Sequence, residues 1–159
     1  KKHKFILDCF DKLWGRGNNF RLIWVGSDAW NDQDFIIRYK NHPLLNTKFF
    51  LLPAASQEKL RHCYNQSDVL ISASSSEGFG LPNIEAAKYG LPIIARDIPI
   101  FRETCGDNAY YFPNNNSVDD FIFHLHKWAL LHSKNLEPKS KNIKVPTWDK
   151  FVKLLLKNI

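Results

Sequence analysis

The chain contains no methionine, not even at position 1, although it has 159 residues. This absence predicts that the sequence is a piece of a longer or processed protein. Cysteine is also scarce, since the three residues Cys9, Cys63 and Cys105 lie far apart in the sequence. An odd number of distant cysteines argues against a disulfide framework and is typical of free thiols in a reducing compartment. We therefore expect a cytoplasmic protein.

Several other common signals are absent. No apolar run approaches the roughly 18 residues that a membrane-spanning helix needs, and no signal-peptide pattern opens the chain. The six histidines show no metal-ligand spacing. A dinucleotide-binding G-x-G-x-x-G pattern is missing too, because Gly78-Phe79-Gly80 is followed by Asn83. The sequence therefore predicts neither a bound cofactor nor a metal ion.

One short acidic pattern, Asp32-Gln33-Asp34, keeps a metal site open as an alternative. It matches the D-x-D arrangement by which some enzymes hold a divalent cation. The pattern also opens a predicted helix, where acidic side chains stabilise the helix dipole without any ligand. We favour this second interpretation.

The composition predicts one folded domain with anionic partners. A hydrophobic fraction of 44% over 159 residues is enough for one well-buried core. The formal charge of +6 favours nucleotide phosphates, an anionic membrane surface or nucleic acid as partners. Because most basic residues are dispersed, as on a solvated face, we do not expect nucleic acid binding. An anionic membrane surface would place the protein at the inner face of the cell membrane.

Apolar runs and helical stripes alternate along the chain. Strands are predicted at 21–26, 48–52, 68–72, 92–95 and 109–112, and helices at 3–15, 32–39, from Ser56 to Tyr64, from Pro82 to Gly90, at 99–105 and at 118–132. This alternation is typical of an α/β fold, with one Rossmann-like parallel sheet and helices on both faces. We assign residues 1–133 to this domain. Residues 134–146 are predicted to be a polar linker, and 147–159 an amphipathic helix.

The most informative stretch is 77–85, Glu-Gly-Phe-Gly-Leu-Pro-Asn-Ile-Glu. It places two carboxylates, Glu77 and Glu85, around a glycine turn that joins a predicted strand to a predicted helix. Free N–H groups and the positive end of the helix dipole would converge there, an arrangement that suits a phosphate group. The structural alternative is a plain turn, with Glu85 complementing the helix dipole and Glu77 solvated in a loop.

This stretch resembles the E-x7-E signature of the family-four retaining glycosyltransferases, in its EGFGLPxxEA form. The similarity continues through Ala86-Ala87 and residues 90–95. It implies the C-terminal, donor-binding half of a two-domain GT-B fold. It also implies a nucleotide-diphosphate sugar as the substrate, transfer with retention, and a role in cell-surface polysaccharide or lipopolysaccharide synthesis.

The resemblance also implies roles for individual residues. Glu85 would accept hydrogen bonds from the ribose hydroxyls, and Glu77 would act as the catalytic residue against the donor sugar. The backbone of Gly78, Phe79, Gly80 and Leu81 would bind sugar and diphosphate oxygens. Lys1 would contribute a cation to the diphosphate, without a metal.

Other parts of the family pattern are not found in this sequence. The resemblance expects an arginine and a strand ahead of residue 1, and an N-terminal acceptor domain as partner. Without them, we expect the chain alone to bind a nucleotide but not to transfer sugar. A sugar-nucleotide epimerase of the same fold and a non-catalytic nucleotide-binding domain remain the alternative functions.

Overall fold

The computed structural model describes residues 2–26 and 32–144. Five strands alternate with six α-helices in this part of the chain, as the sequence predicts. The elements are α1 His3–Gly15, β1 Leu22–Val25, α2 Gln33–Lys40, β2 Phe49–Leu52, α3 Gln57–Gln66, β3 Leu70–Ser72, α4 Leu81–Lys88, β4 Ile93–Arg96, α5 Pro99–Cys105, β5 Tyr110–Phe112 and α6 Val118–Ser133. None of the described helices is both long and apolar enough to cross a bilayer.

The helix boundaries follow local chemistry. Ser56 and Ser117 precede α3 and α6, and each side-chain oxygen accepts a backbone N–H from the first turn. Asp32 caps α2 in the same way, with Oδ1 accepting the N–H of Phe35 at 3.0 Å. Such caps satisfy N–H groups that have no acceptor within the helix. Helix α4 is different, because it begins after Gly80 and has no side-chain cap.

All strand pairs are parallel, but they form two sheets. Strand β1 pairs with β2, whereas β3, β4 and β5 form a second sheet in that order. The expectation of one continuous sheet was therefore wrong for the described residues, since no ladder joins β1 to β3. The two sheets are connected by packing instead, because one apolar cluster contains side chains of α1, β2 and β4.

Helices cover both faces of the three-stranded sheet, as expected. The alternation of side chains along β4 shows this directly. Ile94 belongs to the cluster that includes α1 and α6, whereas Ile93 and Ala95 belong to the cluster that includes α4 and α5. Every residue of β4 is buried. The strand is thus central to the domain, as a strand of a parallel sheet with two covered faces should be.

The three cysteines are free thiols, as the sequence predicts. Cys9 and Cys105 are buried. Burial raises the pKa of Cys9 to about 12 and that of Cys105 to about 11. Since the thiolate is the reactive form, these two side chains behave as small apolar core residues.

The segment after α6 differs from the linker that the sequence predicts. Between residues 134 and 144, the side chains of Glu137, Ser140 and Ile143 are buried. Ile143 joins the apolar cluster of α4 and α5. Glu137 accepts hydrogen bonding from Lys139 at 2.7 Å and lies 3.2 Å from a ring nitrogen of His132. Residues 134–144 are therefore packed against the domain. The helix predicted for 147–159 lies outside the described residues.

Candidate functional site

The central turn lies where the sequence places it, between the carboxyl end of β3 and the start of α4. Strand β3 ends at Ser72, and α4 begins at Leu81. Ligands of open α/β sheets bind outside this edge of the strands. The turn therefore occupies the position expected of a binding site, with Glu77 inside it and Glu85 in the helix that follows.

Two features require a glycine at position 80, namely the backbone conformation there and the atoms packed around it. Its φ is +73°, in the left-handed region that residues with a Cβ rarely adopt. A Cβ on Gly80 would also lie 3.0 Å from Cε1 of Phe101, a ring that is almost fully buried. At Gly78, by contrast, a Cβ would meet no atom within 4 Å. The two glycines thus differ, since Gly80 shapes the turn and Gly78 leaves open space beside it.

The start of α4 presents the N–H group of Leu81 at this edge, where no side chain caps the helix. Pro82 has no N–H group, and the N–H of Asn83 donates to the carbonyl oxygen of Gly80 at 2.9 Å. Phe79 and Leu81, on either side of Gly80, are exposed. The helix N-terminus is therefore available to an anionic group.

Each glutamate accepts a hydrogen bond from a neighbouring hydroxyl group. Ser74 Oγ donates to Oε1 of Glu77 at 2.7 Å. Tyr64 Oη, on α3, donates to Oε2 of Glu85 at 2.8 Å. Both glutamates are half-buried. A carboxylate has two acceptor oxygens with about four lone-pair positions, so each can accept further donors from a ligand.

A buried amide attaches α4 to β3. The side chain of Asn83 is fully buried, and its Oδ1 accepts a hydrogen bond from Ser72 Oγ. Asn83 Nδ2 is also close to the position that a Cβ on Gly80 would take, at 3.4 Å. This contact fixes the first turn of α4 against the end of β3, which keeps the start of the helix at the sheet edge.

A buried arginine organises the backbone behind the turn. Arg96 ends β4 and is fully buried. Its Nε donates to the carbonyl oxygen of Ala73 at 2.8 Å, and Nη1 donates to the carbonyl oxygen of Asn115 at 2.5 Å. The guanidinium lies over the rings of Phe5 and Phe112, at 5.0 and 5.1 Å from their centroids. Arg96 thereby connects the loops that follow β3 and β5.

A family model described as "Glycosyl transferases group 1" matches residues 1–144. The chain belongs to the group 1 glycosyltransferases. The resemblance seen in the central stretch is thereby confirmed at the level of this family.

Curated relatives of this group 1 glycosyltransferase chain include O-antigen enzymes. The chain is 42% identical over its whole length to the serotype-specific mannosyltransferase WbdA of Escherichia coli and covers 19% of that protein. It is 31% identical over 110 residues, 69% of the chain, to the O-antigen chain mannosyltransferase RfbU of Salmonella typhimurium, and covers 30% of it. The chain thus spans about a fifth to a third of the length of these relatives.

Solved structures share the fold. The chain superposes on TarM with a TM-score of 0.73 at 22% identity, over 98% of the chain and 32% of TarM. It superposes on HepE of Anabaena, solved with UDP and glucose, with a TM-score of 0.69 at 15% identity, over 100% of the chain and 45% of HepE. These proteins have the GT-B fold, which confirms the predicted fold class.

Two further sequence predictions concern charged residues. Asp32, the first acid of the D-x-D alternative, caps α2 as described above, which supports its structural interpretation. The residues that the structure describes contain no group of three or more His, Cys, Asp and Glu side chains arranged to hold a metal. Lys1 lies outside the described residues, and its proposed contact with a diphosphate stays a prediction.

Sequence reasoning identified both glutamates and the glycine turn but missed their supporting residues. Tyr64, Ser74 and Arg96 belong to no short motif, and two of them act from a distance. The contact from Tyr64 to Glu85 spans 21 positions, and that from Arg96 to Ala73 spans 23. Only Ser74 had a local signal, since it lies three residues before Glu77.

Proposed function

We propose that this chain is the donor-binding half of a retaining glycosyltransferase that uses a nucleotide-diphosphate sugar. The observation that carries the proposal is the start of α4. This helix begins after a positive-φ glycine and has no side-chain cap. Its start lies between Glu77 and Glu85 in the sequence, and each of these glutamates accepts a hydrogen bond from a hydroxyl group. Such an arrangement offers N–H donors to phosphate oxygens and carboxylate acceptors to sugar hydroxyls.

In the proposed complex the diphosphate faces the N-terminus of α4. The backbone N–H groups of Gly78, Phe79, Gly80 and Leu81 stabilise the charge that develops on the departing nucleotide diphosphate. Glu85 accepts the two hydroxyls of the ribose, and Glu77 contacts the donor sugar as the catalytic residue. Lys1 adds a cation to the diphosphate. No divalent metal takes part, and no other cofactor is needed.

The relatives support a role in surface polysaccharide synthesis. WbdA and RfbU are both named mannosyltransferases, and RfbU is named for the O-antigen chain. Mannose is therefore the first donor sugar to test. HepE was solved with UDP and glucose, and the pneumococcal GtfA with UDP and GlcNAc. These ligands support UDP as one nucleotide to test, beside GDP and ADP.

Partners and location follow from the same proposal. Transfer requires a second domain that holds the acceptor, because positioning two reactants can contribute roughly 7–11 kcal/mol of the barrier. We therefore infer that the acceptor domain lies outside this chain and that the chain alone binds nucleotide without transferring sugar. The charge of +6 suits a peripheral position in the cytoplasm at the anionic inner face of the membrane.

The test is a calorimetric titration of the chain with UDP, GDP and ADP, with and without EDTA. Glu85→Gln keeps the shape of the side chain and removes its charge. Since hydrogen bonds to charged groups contribute roughly 1.5–3 kcal/mol, we expect a loss of about 10- to 150-fold in affinity. Glu77→Gln should have little effect on the bare nucleotide, because this residue contacts the sugar.

A matched control is Glu58→Gln, which neutralises an exposed acid on α3. It should leave the affinity unchanged. If Glu85→Gln and Glu77→Gln weaken nucleotide binding equally, the assignment of Glu85 to the ribose and of Glu77 to the sugar is contradicted. Loss of binding in EDTA, restored by Mg²⁺ or Mn²⁺, would contradict the metal-free mechanism.

A further inference from the structure

Tyr64 contacts α4 through two different parts of its side chain. Its hydroxyl donates to Oε2 of Glu85 at 2.8 Å. Its ring stacks on the ring of Tyr89, with centroids 5.2 Å apart and an angle of 9° between the planes. Tyr89 directly follows α4 and is four positions after Glu85. The two side chains therefore lie on the same face of the helix. One tyrosine on α3 thus bridges one helical turn.

We propose that Tyr64 is a positioning residue, which holds the carboxylate of Glu85 in the orientation that accepts the ribose diol. This inference rests on the proposed function of Glu85. Tyr64 itself makes no contact with the nucleotide in this arrangement. It acts by fixing one oxygen of Glu85 while the other remains available.

The packing around Tyr64 restricts the orientation of its side chain and, through the hydrogen bond, that of Glu85. Stacking on Tyr89 orients the ring of Tyr64, and the ring also packs against the cluster of α4 and α5. The hydroxyl therefore lies at a defined point beside α4. A glutamate side chain without such a contact loses its rotamer freedom when the ligand binds, and this loss of entropy weakens binding. The tyrosine imposes this order before the nucleotide arrives.

Burial and the hydrogen bond also keep the hydroxyl group of Tyr64 protonated. Burial, and next the hydrogen bond to Glu85, raise the pKa of Tyr64 well above its ordinary value. The tyrosine thus remains a donor over the physiological range. The carboxylate of Glu85 has two oxygens with about four acceptor positions, so acceptor positions remain available while Tyr64 donates to Oε2. Hydroxyl groups of a ribose are donors of the matching kind.

The test compares ligands that differ only in the ribose. Tyr64→Phe removes the hydroxyl and keeps the ring. The full chain is titrated with UDP, GDP and ADP and with their 2′,3′-dideoxy counterparts, which lack both hydroxyls. We expect Tyr64→Phe to weaken the ribonucleotide about three- to tenfold, the range that corresponds to ordering one flexible side chain. Affinity for the dideoxy ligand should not change.

Matched variants separate this role from ordinary packing. Tyr110→Phe removes another tyrosine hydroxyl, one bonded to His124, and should change neither affinity. If Tyr64→Phe does not fold, Tyr89→Leu replaces it. That variant removes the ring that stacks on Tyr64 and keeps the Tyr64 hydroxyl. It should cause a smaller loss of affinity, and only for the ribonucleotide.

Measuring Glu85→Gln in parallel separates failure of the positioning role of Tyr64 from failure of the proposed function. If Glu85→Gln weakens only the ribonucleotide and Tyr64→Phe changes nothing, the positioning role is refuted and the proposed function stands. Equal weakening of both ligands by Tyr64→Phe also refutes it, since that pattern reports packing. If Glu85→Gln has no ribose-dependent effect, the proposed function itself fails.

Discussion

Replacing Gly80 with alanine tests whether the turn between β3 and α4 depends on this glycine for its shape. Two costs arise from the structure. The residue has φ of +73°, and an alanine held in this left-handed region costs roughly 1–2 kcal/mol. The new Cβ would also lie 3.0 and 3.2 Å from two atoms of the Phe101 ring.

The second cost depends on whether Phe101 can move. Its side chain is only 2% exposed, so the ring has little room to shift. Inserting a carbon into a packed core costs roughly 1–3 kcal/mol. Together we expect Gly80→Ala to lower the free energy of unfolding by about 2–5 kcal/mol. For a domain of this size that corresponds to a fall of roughly 4–20 °C in Tm.

The assay is urea and thermal denaturation of the variant beside Gly78→Ala. Gly78 is the matched control, because its φ is not positive and a Cβ there meets no atom within 4 Å. A surface change of this kind stays within about 0.5 kcal/mol. The double variant Gly80→Ala, Phe101→Leu should recover part of the loss by relieving the contact with the ring. If the two alanine variants are equally stable, the account of this turn is wrong.

Three more predictions concern Arg96, Ser74 and His124. Arg96→Met removes the donor from the buried carbonyl oxygen of Ala73 and from the partly buried one of Asn115, and it should lower the free energy of unfolding by roughly 2–5 kcal/mol in urea denaturation; a change below about 0.5 kcal/mol would contradict this. Ser74→Ala frees the Glu77 carboxylate, so calorimetry should show the nucleotide sugar weakened about three- to tenfold and the bare nucleotide unchanged. Burial and then Lys127 lower the pKa of His124, so the unfolded chain binds the proton more readily and stability should fall as the pH drops below about 6.5. His124→Gln should flatten that slope in thermal denaturation, and an unchanged slope would show that His124 is not its source.

Elements set by local chemistry were predictable from the sequence. A helix was predicted to start at Ser56, and the Ser56 side chain does accept the N–H of Lys59 at the start of α3. Four of the five observed strands adjoin a glycine or a proline, and the fifth, β3, lies in the apolar run predicted at 68–72. In these cases the decisive contacts lie within a few residues, where periodicity and turn chemistry carry the information.

Features that depend on distant pairs were not predictable. The division into two sheets is a matter of which strands pair, and strand sequences do not encode their neighbours. Glu137 was predicted to lie in a polar linker, yet it is buried, with the ammonium group of Lys139 at 2.7 Å from its carboxylate. The contact between Tyr64 and Glu85 likewise required the positions of two helices. Each of these is a tertiary arrangement that overrides local preference.

The alternation along β4 has a consequence for how this chain avoids misfolding. Ile94 faces the cluster of α1, and the guanidinium of Arg96 lies over Phe5 and Phe112 on that same side. A shift of the strand by one residue would turn the arginine towards the opposite cluster, which contains Ile93 and Ala95. There the cation would lose the carbonyl acceptors that now satisfy it, at a cost of several kcal/mol. An otherwise uniform apolar strand, which could slide against its neighbours, thus has a single alignment in which its charge is tolerated.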